Sequence, residues 1–285
     1  MAFRLVASLV LFSLQLQVLA RSRNPKRGLA FPNEPGHLQD IQKADSPNAT
    51  VSWMYNWDVA PAGNVPQQVE FVPMQWGIWG IEKLHELVIG KGYKTVLAFN
   101  EPELSGQSNL SPEQAARLWK SFVRPLSKGG VRLGSPGISS APSGKVWLQK
   151  FLEVCGAECG VDFVAVHWWR YGEGVQNFMN YLHEIHATFP HHPIWITEFG
   201  CTSGSDQGCI SHLRAFQAGL LQRLSFVPTE VIEFLQRALD LMDSMSWVER
   251  YAWFAFDDIY GCERSTTDLL DARGNLNPLG ALYLK

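Results

Sequence analysis

Two glutamates stand directly after short apolar runs, and their carboxylates are the groups of this chain best suited to bond-breaking chemistry. Glu101 follows the run Thr95–Phe99 and Asn100, and Glu198 follows the run Pro193–Thr197. The second glutamate comes about 100 residues after the first, a separation of roughly three βα units. In a pair of carboxylates, one can protonate a leaving oxygen while the other attacks or activates water. This division of roles is typical of glycosidic bond hydrolysis.

The residues around Glu101 determine where the first run ends. Pro102 has no N–H for a strand ladder, and a residue before proline is biased towards an extended backbone. The strand is therefore predicted to end at Asn100 or Glu101, with an extended backbone at Glu101. Glu103 is interpreted as a carboxylate of the rim, and a salt-bridged loop glutamate remains the alternative interpretation of Glu101.

Eight apolar runs alternate with other patterns along the chain and are predicted to be the strands that carry these residues. They are 28–31, 51–57, 70–76, 95–99, 131–135, 163–168, 193–197 and 250–256. Short runs without polar alternation suit parallel strands that are covered on both faces. Eight strands in a chain of 285 residues favour an α/β fold, a single (β/α)8 TIM barrel, over an open sheet. In that fold Glu101 would end the fourth strand and Glu198 the seventh, on the same rim.

Three segments between the strands have the spacing of amphipathic helices. Ser111–Gln114 is a capping box with proline at the first helical position, and its helix is predicted to end before Pro125. Apolar stripes that begin at Leu148 and Val175 indicate two more helices that face the core. The stretch Gly204–Val227 is longer than one connection needs, and it is interpreted as an insertion after the seventh strand that includes an extra helix.

The first twenty residues have the pattern of a secretory signal peptide. Arg4 precedes an apolar stretch, Leu5–Leu14, and Ala20 is a small residue at the predicted cleavage position. The apolar stretch is shorter than the roughly 20 residues needed to span a bilayer. We therefore expect residues 1–20 to be removed, no membrane association afterwards, and a single catalytic domain over residues 21–285.

Five cysteines in an exported chain predict disulfide bonds and leave one thiol over. Cys155 and Cys159 are close enough in sequence to be bridged. Pairing among Cys201, Cys209 and Cys262 stays open.

Charge and short motifs limit the partners that this chain is expected to have. The net charge is −3 and the basic residues are scattered, so no nucleic-acid surface is predicted. Since His167 has no partners at metal-ligand spacing, neither a metal nor another cofactor is expected. Asn48 opens an Asn-Ala-Thr sequon and is predicted to be glycosylated. We expect a monomer.

The chain has 11 tryptophans, and five of them fall at or just beyond predicted strand ends. These candidates for substrate binding are Trp57, Trp76, Trp168, Trp169 and Trp253. Indole faces bind the apolar C–H faces of sugars through the same quadrupole that attracts cations. About two of the five are expected to contact a sugar, and the rest to pack in the core. His167, at the end of the sixth predicted strand, is interpreted either as a structural histidine or as a hydrogen-bonding partner of the substrate or Glu198.

Seven motifs, in this order, resemble those of a known family. They are Gly28–Phe31, Val51–Trp57, Phe71–Gly77, Asn100–Glu103, Val166–Trp169, Trp195–Phe199 and Tyr251–Phe254. Together they resemble glycoside hydrolase family 128, the alkali-sensitive linkage protein-like group of fungal wall proteins and β-1,3-glucanases. The resemblance extends from about Lys26 to the C-terminus, and it implies a (β/α)8 barrel of the retaining clan.

The resemblance also implies roles for individual residues. Glu101 would be the general acid/base, Glu198 the nucleophile, and Asn100 the partner of the sugar 2-hydroxyl. His167–Trp169 reads His-Trp-Trp where the family often has His-Trp-Tyr, which removes a hydroxyl that could orient the nucleophile. The insertion Gly204–Val227 could reshape one end of the cleft.

Residues and resemblance together predict a secreted retaining endo-β-1,3-glucanase that acts on β-glucan of cell walls or storage polysaccharide. Its substrate would be a β-glucan polysaccharide or oligosaccharide. One alternative is a wall-associated β-glucan-binding protein with little or no turnover. Another is cleavage of a different linkage, such as β-1,4-mannan or cellulose, by the same pair of carboxylates.

Overall fold

The structure is a computed structural model that describes most of the chain from residue 23 onwards. The described residues are 23–31, 38–46, 49–171, 174–202, 227, 229–254, 256, 267–271 and 273–284. The predicted signal peptide, Asn48, Cys209, Cys262 and nearly all of the predicted insertion lie outside these ranges.

Eight strands lie at the eight places where apolar runs predict them. They are β1 (Arg27–Ala30), β2 (Trp53–Tyr55), β3 (Glu70–Phe71), β4 (Thr95–Asn100), β5 (Arg132–Gly137), β6 (Val164–Tyr171), β7 (Ile194–Thr202) and β8 (Val248–Trp253). The pairings between these strands are parallel, as expected for apolar runs that are covered on both faces. The predicted strand positions are confirmed, although β2 and β3 are shorter than the runs that contain them.

The strands pair in an order that follows the chain. Six of them are ordered β3-β2-β1-β8-β7-β6, and β4 pairs with β5. Single parallel bridges join Met74, after β3, to Leu97 in β4, and Gly134 in β5 to Phe163, just before β6. Parallel strands with helices between them make this an α/β fold.

Helices follow several of the strands. In the described part of the chain they are α1 (Leu84–Gly90), α2 (Pro112–Leu118), α3 (Pro142–Cys155), α4 (Val175–Thr188), α5 (Thr229–Ser244) and α6 (Pro278–Leu284). The predicted capping box is present in α2, since Ser111 Oγ accepts from the Gln114 N–H and Gln114 Oε1 accepts from the Ser111 N–H. The α-helix ends before Pro125, as predicted. A π-turn over Trp119–Val123 follows it, and then a 3₁₀ segment, Arg124–Gly129, that contains this proline.

Because the strands carry apolar side chains on both faces, they build two packed clusters. The larger cluster joins strand residues to the buried stripes of the helices, including those that begin at Leu148 in α3 and Val175 in α4. The smaller cluster consists of residues in the strands or close to their ends, among them Trp53, Tyr55 and Trp195, and includes no residue of the described helices. It lies on the strand face away from the helices and forms the floor of the candidate site described below.

The predicted disulfide bond between Cys155 and Cys159 is present and fixes the turn that follows α3. Cys201 is buried in β7. Among the helices that the structure describes, none combines the length and the apolar character needed to cross a bilayer.

Candidate active site

Glu101 leaves β4 through a sharp turn. Its backbone φ is +39°, so the expectation of an extended residue before Pro102 is wrong. Two hydrogen bonds impose the turn: the Glu101 N–H donates to the Gly137 carbonyl at 2.7 Å, and the Leu104 N–H donates to the Glu101 carbonyl at 3.0 Å. A positive φ is unfavourable for a residue with a side chain and persists where its surroundings impose it. The turn brings Glu101 Oε1 to 2.9 Å from Nδ1 of His167 in β6.

Glu198 reaches the same place through an irregularity in β7. Side chains alternate along a strand, so regular geometry would put Glu198 on the opposite face from Trp195, three residues earlier. The register against β6 shifts, however, because Ile196 lies opposite Val166 whereas Glu198 lies opposite His167. The extra residue turns Glu198 to the face that Trp195 occupies. Bulges beside active sites often re-aim a side chain in this way.

The fold therefore brings Glu101, His167 and Glu198 together. One oxygen of each carboxylate and one ring nitrogen of His167 all lie within 4.8 Å of one another. His167 Nδ1 is 3.6 Å from Glu198 Oε2 and closer to Glu101. The glutamate side chains keep 10% and 7% of their exposure, while His167 has none. A substrate can thus reach the two carboxylates, and the imidazole lies behind them.

The electrostatic environment of His167 favours its protonated form. Burial lowers the pKa of the imidazole, but the charge of Glu198 and the hydrogen bond with Glu101 outweigh burial and raise the pKa above its ordinary value. Nε2 is buried and has no hydrogen-bond partner among the residues that the structure describes. Of the interpretations of His167 given above, the geometry favours a partner of the carboxylates, with Glu101 nearer than Glu198.

Three donors surround the Glu198 carboxylate. Trp57 Nε1 donates to Oε1 at 2.8 Å, and Trp169 Nε1 donates to Oε2 at 3.1 Å. The Tyr55 hydroxyl lies 3.3 Å from Oε1 and 3.0 Å from the Thr197 carbonyl. Burial and the charge of Glu198 raise the pKa of Tyr55 well above its ordinary value, so this phenol keeps its proton. Hydrogen bonds to an ionised acceptor are strong and directional, so they fix the orientation of the Glu198 carboxylate.

Trp169 supplies a donor at the position where the resemblance implied the loss of one. Its indole N–H reaches Glu198 in place of a tyrosine hydroxyl. The ring packs edge-to-face against Phe254, with centroids 4.0 Å apart. Gly200 makes room for the ring, because a Cβ there would lie 2.9 Å from Trp169 Cζ3. The His-Trp-Trp motif therefore keeps a hydrogen bond to this carboxylate.

Two of the five candidate tryptophans lie away from the glutamates. Trp168 points to the opposite face of β6 from Trp169 and packs against Phe178 and Phe234. Trp253 in β8 also packs beside Phe234. Their exposed fractions are 2% and 0%, so neither ring presents a face to a sugar. Both are packing residues, the role expected for part of the set.

Asn100 lies beside the site, at the end of β4, and is buried. Its Nδ2 donates to Gln107 Oε1 at 3.1 Å, and its backbone N–H donates to the carbonyl of Trp76 at 2.8 Å. The other amide atom, Oδ1, is buried without a hydrogen-bond partner in the described part of the chain. An acceptor without a partner is what the implied hydrogen bond to a sugar 2-hydroxyl requires. Trp76 is half-buried and packs beside the smaller cluster with Trp57.

Three residues of the site were missed by the sequence analysis. Tyr55 could have been found, because it alternates with Trp57 along β2 and its extension and so shares a face with it. The same alternation distinguishes Phe254, which packs against Trp57, from Trp253, which points away. No sequence signal marks Gln107, since its contact with the site depends on the path of a loop.

The three converging groups could also hold a metal cation. Each offers one nitrogen or oxygen ligand atom within the 4.8 Å cluster, and imidazole with carboxylates is a common ligand set. The expectation that no partners converge on His167 is wrong, because they come from the distant strands β4 and β7. A cation there would displace the proton on Nδ1 and occupy both carboxylates, so it would compete with the acid and nucleophile roles that the resemblance implies.

Comparisons with known proteins cover nearly all of this chain. A family model described as glycosyl hydrolase catalytic core matches residues 28–283. Alkali-sensitive linkage protein 1 of Schizosaccharomyces pombe is 32% identical over 264 residues, which is 91% of this chain. The chain spans 44% of the length of that relative.

Solved structures of one family match over almost their whole length. The curdlan-specific exo-β-1,3-glucanase of family 128 subgroup III from Blastomyces gilchristii, in complex with glucose, is 32% identical with a TM-score of 0.70, and the match covers 92% of this chain and 100% of that one. A subgroup I endo-β-1,3-glucanase from Amycolatopsis mediterranei, in complex with laminaripentaose, is 29% identical with a TM-score of 0.69, covering 91% and 98%. The extent of these matches and the two converging glutamates show that the chain belongs to glycoside hydrolase family 128.

Proposed function

We propose that this protein is a secreted endo-β-1,3-glucanase that cleaves its substrate with retention of configuration. The observation that carries the proposal is the approach of Glu101 and Glu198, whose facing oxygens lie within 4.8 Å. Retaining glycosidases hold their carboxyl groups about 5–5.5 Å apart, whereas inverting enzymes leave about 6.5–9.5 Å for a water molecule. The short separation supports direct attack by one carboxylate.

In the first step Glu101, in its acid form, gives its proton to the glycosidic oxygen. An oxygen of Glu198 attacks the anomeric carbon, the bond to the leaving sugar breaks, and a glycosyl ester forms on Glu198. The indole N–H groups of Trp57 and Trp169 hold the attacking carboxylate in one orientation. His167, bonded to Glu101 Oε1, holds the acid beside the same bond.

In the second step Glu101 acts as a base, whereas in the first step it acts as an acid. The Glu101 carboxylate takes a proton from water, and the hydroxide oxygen attacks the anomeric carbon. The ester bond breaks, Glu198 returns to its carboxylate form, and Glu101 is again an acid. Two inversions at the same carbon leave the configuration of the sugar unchanged.

The choice of β-1,3-glucan is supported by the solved relatives. Those that share 27–32% of their residues with this chain are β-1,3-glucanases, and structures of the Amycolatopsis mediterranei enzyme hold laminaripentaose or laminaritriose. Their modes of action include both exo and endo. The proposal of endo action therefore needs its own test, which is the size distribution of the products released early in the reaction.

The proposal includes a closed barrel and an exported, monomeric protein. Pairing of β1 with β8, together with the bridges Met74–Leu97 and Gly134–Phe163, supports closure of the eight strands into a (β/α)8 barrel. The pattern of residues 1–20 supports export to the cell wall or medium. On that route Asn48 would be glycosylated, and residues 21–285 would form the catalytic domain.

Activity on linear β-1,3-, β-1,4- and mixed-linkage glucans tests this function. Wild type should release a mixture of oligosaccharides early from laminarin-type glucan. Glu101→Ala and Glu198→Ala should each lower the release of reducing ends by about 10³-fold or more, as removal of a reacting group does. Glu153→Ala, which removes an exposed carboxylate of α3, is the matched control.

Near-normal hydrolysis by both glutamate variants would refute the mechanism. Preference for a β-1,4-linked substrate would correct the linkage. Binding of wild type to insoluble glucan without soluble products after a long incubation would identify a glucan-binding protein instead.

A further inference from the structure

The loop between β3 and α1 exposes an apolar surface close to the site. Trp79 is 86% exposed, and its neighbour Ile78 is 47% exposed. Single exposed apolar residues are ordinary, but tryptophan usually buries most of its large surface. A tryptophan this exposed therefore points to a binding role.

The backbone of this loop is held by a buried side chain. Gln75 Nε2 donates to the carbonyl of Gly77 at 2.8 Å and to that of Trp79 at 2.9 Å. Gln75 is only 3% exposed. After Trp79 the chain turns at Gly80, with φ +70°, and returns to the core at Ile81, which is buried. Trp79 is thus presented by a braced backbone, which lowers the entropy lost when a ligand binds.

The same loop is joined to the part of β4 that carries the acid. The backbone N–H of Asn100 donates to the carbonyl of Trp76 at 2.8 Å. Gly77 lies against the loop that follows Glu101, since a Cβ on Gly77 would lie 3.5 Å from Ser108 Cβ. The loop therefore extends the surface of the candidate site on the β3 side.

We propose that Trp79 is a platform for a β-1,3-glucan chain, on which a glucose unit outside the two-glutamate centre stacks its C–H face. This inference rests on the proposed function. Stacking buries apolar surface on both partners while the sugar hydroxyls stay in water, and the indole quadrupole attracts the C–H hydrogens. Ile78 widens the apolar surface. A long glucan that continues beyond the reacting bond reaches the platform, and a short oligosaccharide does not.

Binding to insoluble β-1,3-glucan is the first test. Curdlan is titrated with the protein in a Glu198→Ala background, so that no hydrolysis occurs, and the unbound protein is measured. Trp79→Ala should raise Kd about tenfold, the factor that corresponds to an aromatic contact of this kind. Trp79→Phe should retain most of the affinity. Val146→Ala is the matched control, because Val146 is 62% exposed on α3 and should leave Kd unchanged.

Kinetics provide the second test. The ratio of kcat/KM on long β-1,3-glucan to kcat/KM on laminaritriose should fall in Trp79→Ala by a similar factor. Equal curdlan binding with an unchanged ratio would overturn the platform and leave the proposed hydrolysis intact. An equal loss on both substrates would also overturn it, as would a wild-type dimer that Trp79→Ala converts to a monomer. Trp79-dependent binding by a wild type that hydrolyses nothing would support the platform and refute the proposed function.

Discussion

Glu198 accepts hydrogen bonds from two indoles and lies beside a buried phenol, and this set of donors distinguishes it from Glu101. Trp57 and Trp169 bond to different oxygens of Glu198, so the carboxylate cannot rotate without breaking one of these bonds. Glu101 Oε1 forms a hydrogen bond with Nδ1 of His167, and this imidazole can itself carry a proton. The fixed carboxylate suits a nucleophile, and the carboxylate with a protonated neighbour suits a group that exchanges protons.

Removal of the Trp169 donor should slow the reaction. We expect Trp169→Phe to lower kcat/KM on laminarin-type glucan about 10- to 100-fold, because a hydrogen bond to a charged group contributes about 1.5–3 kcal/mol. Trp169→Tyr, which restores the His-Trp-Tyr pattern, should retain more activity than Trp169→Phe. Thermal unfolding of both variants controls for packing against Phe254. Equal rates in the two variants would show that the ring, and not its donor, is what matters.

Among the strands, sequence pattern predicted position well and side-chain direction poorly. Apolar runs located all eight strands because each strand is covered on both faces. Because both faces of each strand are covered, the runs lack polar alternation. They therefore do not show which side chains face the helices and which face the other side of the strands. For that reason the sequence predicts neither the bulge before Glu198 nor the face of β7 to which the Glu198 side chain points. Simple alternation, by contrast, could have separated Trp169 from Trp168, and Tyr55 could have been added to the site.

At Glu101 the local backbone preference gave the wrong conformation, because tertiary hydrogen bonds impose another. Pro102 favours an extended Glu101, but hydrogen bonds to β5 and within the following turn impose a positive φ. These partners are distant in sequence or depend on the loop path. The meeting of Glu101 and Glu198 on one rim, and a contact of His167 with Glu198, were among the predictions. The shorter contact of His167 with Glu101 was not, because it depends on this turn.

Because the start of β1 is closely packed, adding one methyl group at Gly28 is expected to destabilise the fold. A Cβ on Gly28 would overlap the ring of Trp53, which packs against Trp195 with centroids 5.2 Å apart. Gly28→Ala should lower the free energy of unfolding by about 1–3 kcal/mol, the usual cost of overpacking. Urea unfolding measures the loss. Gly90→Ala in α1 meets nothing within 4 Å and should be neutral or stabilising, so equal effects of the two substitutions would contradict the packing described here.

For the molecule as a whole, folding is linked to protonation of two histidines with opposite environments. The pKa of His167 is raised in the folded state despite its burial, because of Glu198 and Glu101. The pKa of His192, which is half-buried, is lowered by burial and by its neighbour His191. A raised histidine pKa stabilises the fold fully below the unfolded value of about 6.5, and this stabilisation is lost as pH rises through the folded value.

The two histidines should therefore give opposite pH profiles. The difference in free energy of unfolding between wild type and His167→Gln should be largest near pH 6 and should shrink towards pH 9. For His192→Gln the sign reverses, because a lowered pKa contributes stability above the unfolded value that is lost as pH falls. Urea unfolding at several pH values measures both. Parallel profiles for the two variants would contradict the environment assigned to His167.

The most direct measurement is covalent trapping of the reacting carboxylate. A 2-deoxy-2-fluoro-β-laminaribiosyl fluoride should form a glycosyl ester that hydrolyses slowly, because the fluorine at carbon 2 destabilises both oxocarbenium-like transition states while the fluoride leaving group speeds the first step. Peptide mapping by mass spectrometry should then place one disaccharide on the peptide that contains Glu198. A label on Glu101 or another residue, or an unlabelled enzyme that still hydrolyses the reagent, would contradict Glu198 as the nucleophile.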